Sequence, residues 1–359
     1  MNLRYRSLGL PRSKRHGRGA SRTLLVAGLA AGTALLGTVA PASAATSVSG
    51  TVNIVAYSVP APAYAAQIRA FNKTRQGRNV TFTQSYGPSG SQAKSVVAGL
   101  PADVVNFASA TDIETLLAEN LVSSNWNSNP STKGMVTDSI VVFVVPKGNP
   151  DHIKTWGDLL KSNVRVFTPN PFSSGAARWN IMALYGAELK VGQTQDQAQS
   201  DVAQLLKNTV VQSTSAANEL TAFLSDDTTN KNDVLLDYES DAIQAKRAGK
   251  QINYVVPKQT ILIENPIAVT TNSKNPAAAQ AFVSYLLSVP GQEEWAKLGY
   301  RPVLPSVAAK TRNLFPHPAG LFTIASLDGW DSVNNNFFST SSSSPGIVTK
   351  IESSLGQTI

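Results

Sequence analysis

The stretch Val164–Asn180, VRVFTPNPFSSGAARWN, joins a strand pattern to a helix pattern through a loop that is rich in Pro and Ser. Its short apolar start is typical of a buried strand, and the run from Ala176 predicts a helix that continues to Leu189. Ser174 and Gly175 fall where that helix begins. Small residues at such a turn allow an anion to contact backbone N–H groups, so the stretch predicts an α/β fold with a candidate anion site at a strand end.

The same alternation of strand and helix patterns runs along the rest of the chain. Short apolar strands separated by helices predict mostly parallel sheets that helices flank on both faces. The strand candidates are Thr51–Tyr57, Val80–Gln84, Asp103–Phe107, Ser139–Val145, Val164–Thr168, Thr209–Gln212, Val234–Tyr238, Ile252–Val256 and Pro266–Thr271. The helix candidates are Ala63–Phe71, Gln92–Leu100, Ile113–Glu119, Ala176–Leu189, Ala198–Leu206, Ala217–Leu224 and Ala277–Leu287.

The first residues have the composition of a targeting segment. Residues 1–22 contain seven Lys and Arg and no acid, and the apolar run Thr23–Ala40 follows them. Ala42-Ser43-Ala44 then supplies the small residues that a signal peptidase accepts, so residues 1–44 are predicted to be a signal peptide cleaved after Ala44. The alternative, an uncleaved membrane anchor, is barely permitted by the length of the run. Because the chain has no Cys, we expect no lipid anchor and a soluble protein in the periplasm or otherwise outside the cytoplasm.

Removal of that segment changes the charge of the protein. The chain has 31 Lys and Arg against 23 Asp and Glu, and seven of the basic residues lie within residues 1–22. The remainder has 24 basic residues against 23 acidic ones, a net charge of +1. The basic excess therefore belongs to the targeting segment, and we expect no nucleic-acid partner.

About 315 residues follow the targeting segment, enough for two domains. The polar stretches Ser123–Lys133 and Pro257–Glu264 are predicted to cross between them. Two crossings make one lobe discontinuous. We therefore expect residues 45–135 to form the first part of lobe I, residues 136–258 to form lobe II, and residues 259–359 to return to lobe I with the C-terminal helices.

Three turns combine Ser or Gly with the start of a helix just after a strand: Tyr86–Gln92, Thr168–Trp179 and Ser213–Asn218. Taken singly, each is more often an ordinary helix N-cap, because Ser and Thr oxygens satisfy the first N–H groups of any helix. Together, three such turns at strand ends predict an anion site built from backbone N–H groups and helix dipoles.

The chain resembles the periplasmic sulfate-binding proteins of ABC transporters along nearly its whole length after residue 44. The resemblance is carried by Tyr86-Gly87-Pro88-Ser89-Gly90, Val142–Pro150, Thr168–Asn180, Gly299-Tyr300-Arg301-Pro302, Leu321–Ile324 and Gly329-Trp330. It implies a type II periplasmic-binding-protein fold, in which two hinged lobes close on the ligand. It also implies a monomeric binding protein that captures sulfate or thiosulfate, uses no cofactor and delivers the anion to the membrane permease of an ABC importer.

The resemblance further implies which residues contact the ligand. Carried over position by position, they are Ser58, Ser89, Ser174, Gly175, Ala176, Ala216 and Tyr238. Most would act through the backbone, whereas Ser174 is expected to add a hydroxyl that also caps its helix. Ser58 stands where the family usually has Asp, Tyr238 where it has a ligand-binding Trp, and Ala176 where it has Gly. These departures keep the oxyanion class and leave strict sulfate specificity open.

Two other kinds of function compete with this interpretation. A secreted hydrolase would need a nucleophile elbow, and Gly87-Pro88-Ser89-Gly90-Ser91 lacks its final Gly. His152 and His317 are isolated, no metal-ligand cluster is present in the sequence, and we expect neither catalytic residues nor a metal. A binding protein for phosphate, molybdate or an organosulfonate is the second alternative. Phosphate keeps a proton that a carboxylate must accept, and the three turns contain no Asp or Glu, although Asp237 and Glu239 flank Tyr238.

Overall fold

The structure is a computed structural model that describes residues 47–226 and 232–359. The predicted signal peptide lies outside these residues. Within them, no helix is long and apolar enough to cross a membrane.

All nine predicted strands have a counterpart, and two very short strands are added near the C-terminal end. The strands are β1 (Ser49–Tyr57), β2 (Asn79–Gly87), β3 (Val104–Asn106), β4 (Met135–Pro146), β5 (Arg165–Phe167), β6 (Thr209–Val211), β7 (Asp233–Tyr238), β8 (Ile252–Val255), β9 (Gln259–Val269), β10 (Arg301–Pro302) and β11 (Gly320–Phe322).

The seven predicted helices are also present, together with six further α-helices. The helices are α1 (Ala61–Asn72), α2 (Ser89–Val97), α3 (Ala110–Ala118), α4 (Trp156–Leu159), α5 (Gly175–Lys190), α6 (Gln195–Lys207), α7 (Ala216–Ser225), α8 (Glu239–Arg247), α9 (Pro276–Leu286), α10 (Val289–Lys297), α11 (Pro305–Thr311), α12 (Gly329–Val333) and α13 (Ile347–Ser354). A 3₁₀ helix, Ile324–Leu327, and a π-helical turn, Asn334–Phe338, flank α12.

Two groups of parallel strands form the sheets of two lobes. In the first lobe β1 pairs in parallel with β2 and β3, and in the second β5 pairs in parallel with β6 and β7. The overall strand order is β2-β1-β3-β9-β4-β7-β5-β6. Each lobe therefore has the helix-flanked, mostly parallel sheet that the alternating sequence pattern predicts.

The strands β4 and β9 connect the two sheets. They pair with each other in the antiparallel sense, while β9 also borders β3 and β4 also borders β7. Both are longer than predicted: β4 already begins at Met135, and β9 includes residues 259–264, which were interpreted as part of a loop crossing. The sheets of the two lobes are thus joined by the hydrogen-bonded ladder between β4 and β9.

The C-terminal elements pack against α5 and α6 in the second lobe. The rings of Tyr185 and Phe337 have centroids 4.7 Å apart, and those of Trp179 and Trp330 are 4.6 Å apart. Close to α13, Gln212 donates a hydrogen bond to Glu352 at 2.8 Å. The end of the chain therefore contacts α5 and the residue that follows β6.

Candidate anion-binding site

In the first lobe, the strand register places two of the predicted site residues side by side. Tyr57 at the end of β1 is paired with Gly87 at the end of β2, so Ser58 follows next to Pro88 and Ser89. Ala56 is paired with Asn106 of β3 in the same sheet. The carboxyl ends of three parallel strands therefore deliver Ser58, Ser89 and the turn after β3 to one edge.

In the second lobe, the same geometry gathers three more turns. Phe167 of β5 is paired with both Val211 of β6 and Leu235 of β7, so α5, α7 and α8 begin at neighbouring strand ends. The turns before α5 and α7 are hydrogen-bonded to each other. The Asn170 N–H donates to the Ser213 carbonyl at 2.8 Å, and the Ser173 hydroxyl donates to the Thr214 carbonyl at 3.0 Å.

The two edges meet at Ala108, which follows β3 in the first lobe. Its N–H donates to the Ser89 hydroxyl at 2.9 Å, and its carbonyl accepts a bond from the Trp179 indole of α5 at 2.8 Å. A Cβ atom at Gly175 would lie 2.7 Å from the Ala108 methyl, so the start of α5 approaches this turn as only Gly allows. A Cβ atom at Gly90 would lie 3.6 Å from the Ser173 carbonyl oxygen. The N-terminal ends of α2 and α5 therefore face each other across the lobes.

These helix ends carry backbone N–H groups that point toward the meeting point. The first N–H groups of any α-helix lack an acceptor within the helix. In the described structure no side chain caps α2 or α5, whereas Ser215 caps α7 by accepting a bond from the Asn218 N–H at 3.3 Å. The expectation that Ser174 caps its own helix is therefore wrong.

The predicted contacts differ in their accessibility. Relative exposure is 2% for Ser89, 4% for Ser174, 4% for Ala216 and 1% for Tyr238, while Ser58 is half-buried. Except for Ser58, the predicted contact residues are therefore almost completely shielded from solvent.

Tyr238 is both the last residue of β7 and the N-cap of α8. Its hydroxyl is buried and has no hydrogen-bond partner in the described structure. Burial raises the pKa of this hydroxyl well above 10, so the group stays protonated and available as a donor. Helix α8, which was not predicted from the sequence, begins directly after Tyr238 and changes the direction of the chain there.

Asp112 is the main feature of the site that the sequence analysis missed. It lies in the first turn of α3, and its carboxylate accepts a hydrogen bond from the Ser89 hydroxyl at 2.6 Å. Burial raises the pKa of Asp112, while the bond from Ser89 and the charges of Arg178 and Lys94 lower it. The turn between β3 and α3 has a hydroxyl at its helix N-cap, Ser109, but no Gly, and it was not among the three turns predicted to form the anion site. The three predicted turns contain no Asp or Glu, as the sequence indicated, but Asp112 from a fourth turn contributes a carboxyl group next to them.

Two further carboxyl groups lie at the start of α8. Burial and the neighbouring Asp241 raise the pKa of Asp237 well above its usual value, and burial raises the pKa of Asp241 to about 8. Asp237 accepts the backbone N–H of Tyr238 at 2.8 Å, and its other oxygen has no partner in the described structure. Within residues 47–226 and 232–359, no cluster of three or more His, Cys, Asp or Glu is arranged to hold a metal ion.

The sequence of the chain matches the model of one family, described as bacterial extracellular solute-binding protein, over residues 52–301. The chain belongs to this family. A solved structure of the sulfate-binding protein SubI from Mycobacterium tuberculosis is 42% identical, with a TM-score of 0.76, and the match covers 79% of this chain and 98% of that one. The two-lobed fold of this solute-binding protein is thereby confirmed.

Two relatives of this solute-binding protein differ in the anion of their names. A sulfate-binding protein of Synechococcus elongatus is 37% identical over 295 residues, which covers 80% of this chain and 83% of the relative. A thiosulfate-binding protein of Pseudomonas aeruginosa is 34% identical over 330 residues, which covers 89% and 95%. The similarity to both kinds of protein agrees with the oxyanion class to which the sequence pointed.

Proposed function

We propose that this solute-binding protein captures sulfate or thiosulfate between its lobes and delivers it to the membrane permease of an ABC importer. The observation that carries the proposal is that the uncapped starts of α2 and α5 approach the same buried turn, at Ala108. There α2 and α5 present backbone N–H groups from opposite lobes, next to Ser174, whose side chain does not cap α5, and the buried Tyr238 hydroxyl. The names of the relatives at 34–42% identity support the same ligands.

The proposed donors suit an anion that only accepts hydrogen bonds. In this proposal Ser58, Ser89, Gly175, Ala176 and Ala216 act through backbone N–H groups, and Ser174 and Tyr238 act through hydroxyls. A buried charge is costly unless hydrogen bonds replace its hydration, and helix N-termini add favourable potential. Arg178, in the first turn of α5, is engaged elsewhere, since it donates to the Pro171 carbonyl at 2.9 Å and to Asn334 at 3.0 Å.

Asp112 favours a second candidate, a protonated oxyanion such as hydrogen phosphate. A buried carboxyl group close to the starts of α2 and α5 is the type of acceptor that a proton on the ligand requires. One oxygen of Asp112 already accepts the Ser89 hydroxyl. Unprotonated sulfate or thiosulfate therefore remains the first proposal.

The remaining features of the proposal concern export and organisation. We infer export by cleavage after Ala44, a location in the periplasm or otherwise outside the cytoplasm, action as a monomer, and no catalysis or nucleic-acid binding. The long strands β4 and β9 support lobe boundaries near residues 135 and 258. The contacts of the C-terminal elements with α5 and α6 support assigning residues 320–359 to the second lobe, and the preceding return segment to the first.

The test is a thermal-shift and calorimetric screen of the chain from residue 45 onward. The anions are sulfate, thiosulfate, phosphate and molybdate, and chloride at matched ionic strength is the control. A ligand that binds only the folded state raises the melting temperature, so sulfate or thiosulfate should give the largest shift. A shift with phosphate alone would favour the second candidate, and the absence of any shift would contradict both.

A further inference from the structure

Two tyrosine rings from opposite lobes lie together at the ends of their strands. Tyr57 is the last residue of β1, and Tyr238 is the last residue of β7. Their ring centroids are 6.0 Å apart, and their relative exposures are 3% and 1%. Tyr57 directly precedes Ser58, and Tyr238 directly precedes the start of α8. The pair therefore occupies the same strand edges as the proposed anion donors.

The hydroxyls of both residues are buried and have no hydrogen-bond partner among the described residues. Other buried tyrosines nearby do have one. The Tyr64 hydroxyl donates to Asn106 at 3.0 Å, and the Tyr300 hydroxyl donates to the Val59 carbonyl at 3.0 Å while accepting a bond from Gln244 at 3.1 Å. A buried hydroxyl without a partner destabilises the folded state. Two such hydroxyls at the carboxyl ends of β1 and β7 therefore indicate that a ligand supplies the missing hydrogen-bond acceptor.

The surroundings keep both hydroxyls in the donor form. Burial raises the pKa of Tyr57 well above 10, and Tyr238, Tyr300, Asp241 and Tyr64 raise it further. For Tyr238, burial raises the pKa most, followed by Asp241 and Asp237, while the nearby Asn265 side chain lowers it without forming a hydrogen bond of standard geometry to the hydroxyl. Both groups are therefore protonated at neutral pH and offer rotatable O–H donors, unlike the fixed N–H groups of the helix starts.

We propose that Tyr57 is a further ligand-contacting residue, and that the Tyr57 and Tyr238 hydroxyls donate together to one corner of the bound oxyanion. This inference rests on the proposed function. The pair also determines the preference between the two candidate ligands. Sulfate presents an oxygen at every corner, whereas thiosulfate presents a larger sulfur at one corner, and sulfur is the weaker acceptor. Because the hydroxyls can rotate whereas the helix N–H groups are fixed, the larger sulfur of thiosulfate occupies the hydroxyl corner in this proposal, so the pair contributes more to the affinity for sulfate than to the affinity for thiosulfate.

The experiment measures sulfate and thiosulfate binding by calorimetry for the wild-type protein, Tyr57→Phe, Tyr238→Phe and the double variant. Phe retains the ring, so each change removes only the hydroxyl. Each single change should weaken sulfate binding about ten-fold or more, the range for a hydrogen bond to a charged group. Thiosulfate binding should weaken less, so the ratio of the two affinities should move toward thiosulfate.

Tyr300→Phe is the matched control, because it removes a buried tyrosine hydroxyl that has partners within the protein. It should lower the unfolding midpoint and leave the ratio of affinities unchanged. Full sulfate affinity in Tyr57→Phe, or an equal loss for both anions, would overturn the inference while leaving the proposed function standing. A wild-type protein that binds neither anion would instead refute the proposed function itself.

Discussion

At the scale of single residues, the closest approach in the site is that of Gly175 to Ala108. The distance of 2.7 Å between a Cβ atom at position 175 and the Ala108 methyl is shorter than real carbon contacts allow. A methyl group at this position must push the start of α5 away from the first lobe. The displacement would move the N–H groups of Gly175 and Ala176, which we propose as donors, away from the anion.

Gly175→Ala should therefore weaken sulfate binding by about ten-fold or more, since the change misaligns hydrogen bonds to a charged ligand. Stability should change little, because Ala is the better helix former by about 1 kcal/mol. Calorimetry together with thermal unfolding measures both quantities. The control is Gly157→Ala, which also lies in a helix but whose nearest neighbour is the Thr155 hydroxyl at 3.8 Å. Gly175→Ala combined with Ala108→Gly should restore affinity, and failure of this rescue would contradict the proposed contact.

The sequence predicted some residues of the site better than others. Ser89, Ser174 and Gly175 lie in turns with a local signal, hydroxyls and Gly between a strand and a helix, and the structure places those turns together. Asp112 follows the single N-cap hydroxyl of Ser109, which is a weak signal because any helix start can carry one, and it is brought close by the pairing of β3 with β1. Tyr57 could not be predicted as a contact residue either, because only the packing of the two lobes shows that its hydroxyl lacks a hydrogen-bond partner.

At the scale of elements, α8 is the helix that links the site to the other lobe. Glu239 in its first turn is ion-paired with Arg301 at 2.6 Å, and Gln244 donates to Tyr300. A Cβ atom at Gly299 would lie 2.9 Å from Ile243. The motif Gly299-Tyr300-Arg301-Pro302, for which the sequence indicated no structural partner, thus docks against one face of α8. The sequence did not predict this helix because its polar composition, ESDAIQAKR, lacks a clear apolar stripe.

Helix α8 also carries a carboxyl group that should make stability and binding depend on pH. Burial raises the pKa of Asp241 to about 8, whereas an aspartate of the unfolded chain loses its proton at about pH 4. Between these values the folded protein holds a proton that the unfolded chain has released. Stability should therefore fall as the pH rises through this window and level off above it.

A bound dianion favours the protonated form of Asp241, so the affinity for sulfate should decrease once the pH exceeds about 8. Calorimetry and thermal unfolding on either side of that value measure the two effects. Asp241→Asn removes the titrating group and should flatten both profiles, while Asp201→Asn on the outer helix α6 serves as the control. Unchanged profiles in Asp241→Asn would assign the titration to another group, with Asp237 as the nearest.

At the scale of the whole molecule, the two-lobed fold predicted from the sequence is confirmed. The sequence did not predict that β4 and β9 connect the two sheets as paired strands. It also did not predict the contacts of the C-terminal elements with α5. The connection between the sheets depends on the pairing of β4 with β9. The packing of the C-terminal elements depends on ring contacts such as that of Tyr185 with Phe337. In both cases the partners are far apart in the chain. Local patterns carry no information about such long-range partners.

The bond between the Trp179 indole and the Ala108 carbonyl gives the protein an intrinsic optical reporter. Trp179 is one of five tryptophans in the chain. Its side chain is fully buried, and its indole N–H in the second lobe donates to a carbonyl in the first. When the lobes separate, the indole loses this acceptor and meets water, so its emission should shift to longer wavelength. Adding sulfate to the anion-free protein should reverse the shift, and Trp179→Phe should abolish most of the change, whereas Trp126→Phe should leave it. The rate of that spectral change, followed by rapid mixing, would then measure how fast the cleft closes without any attached dye.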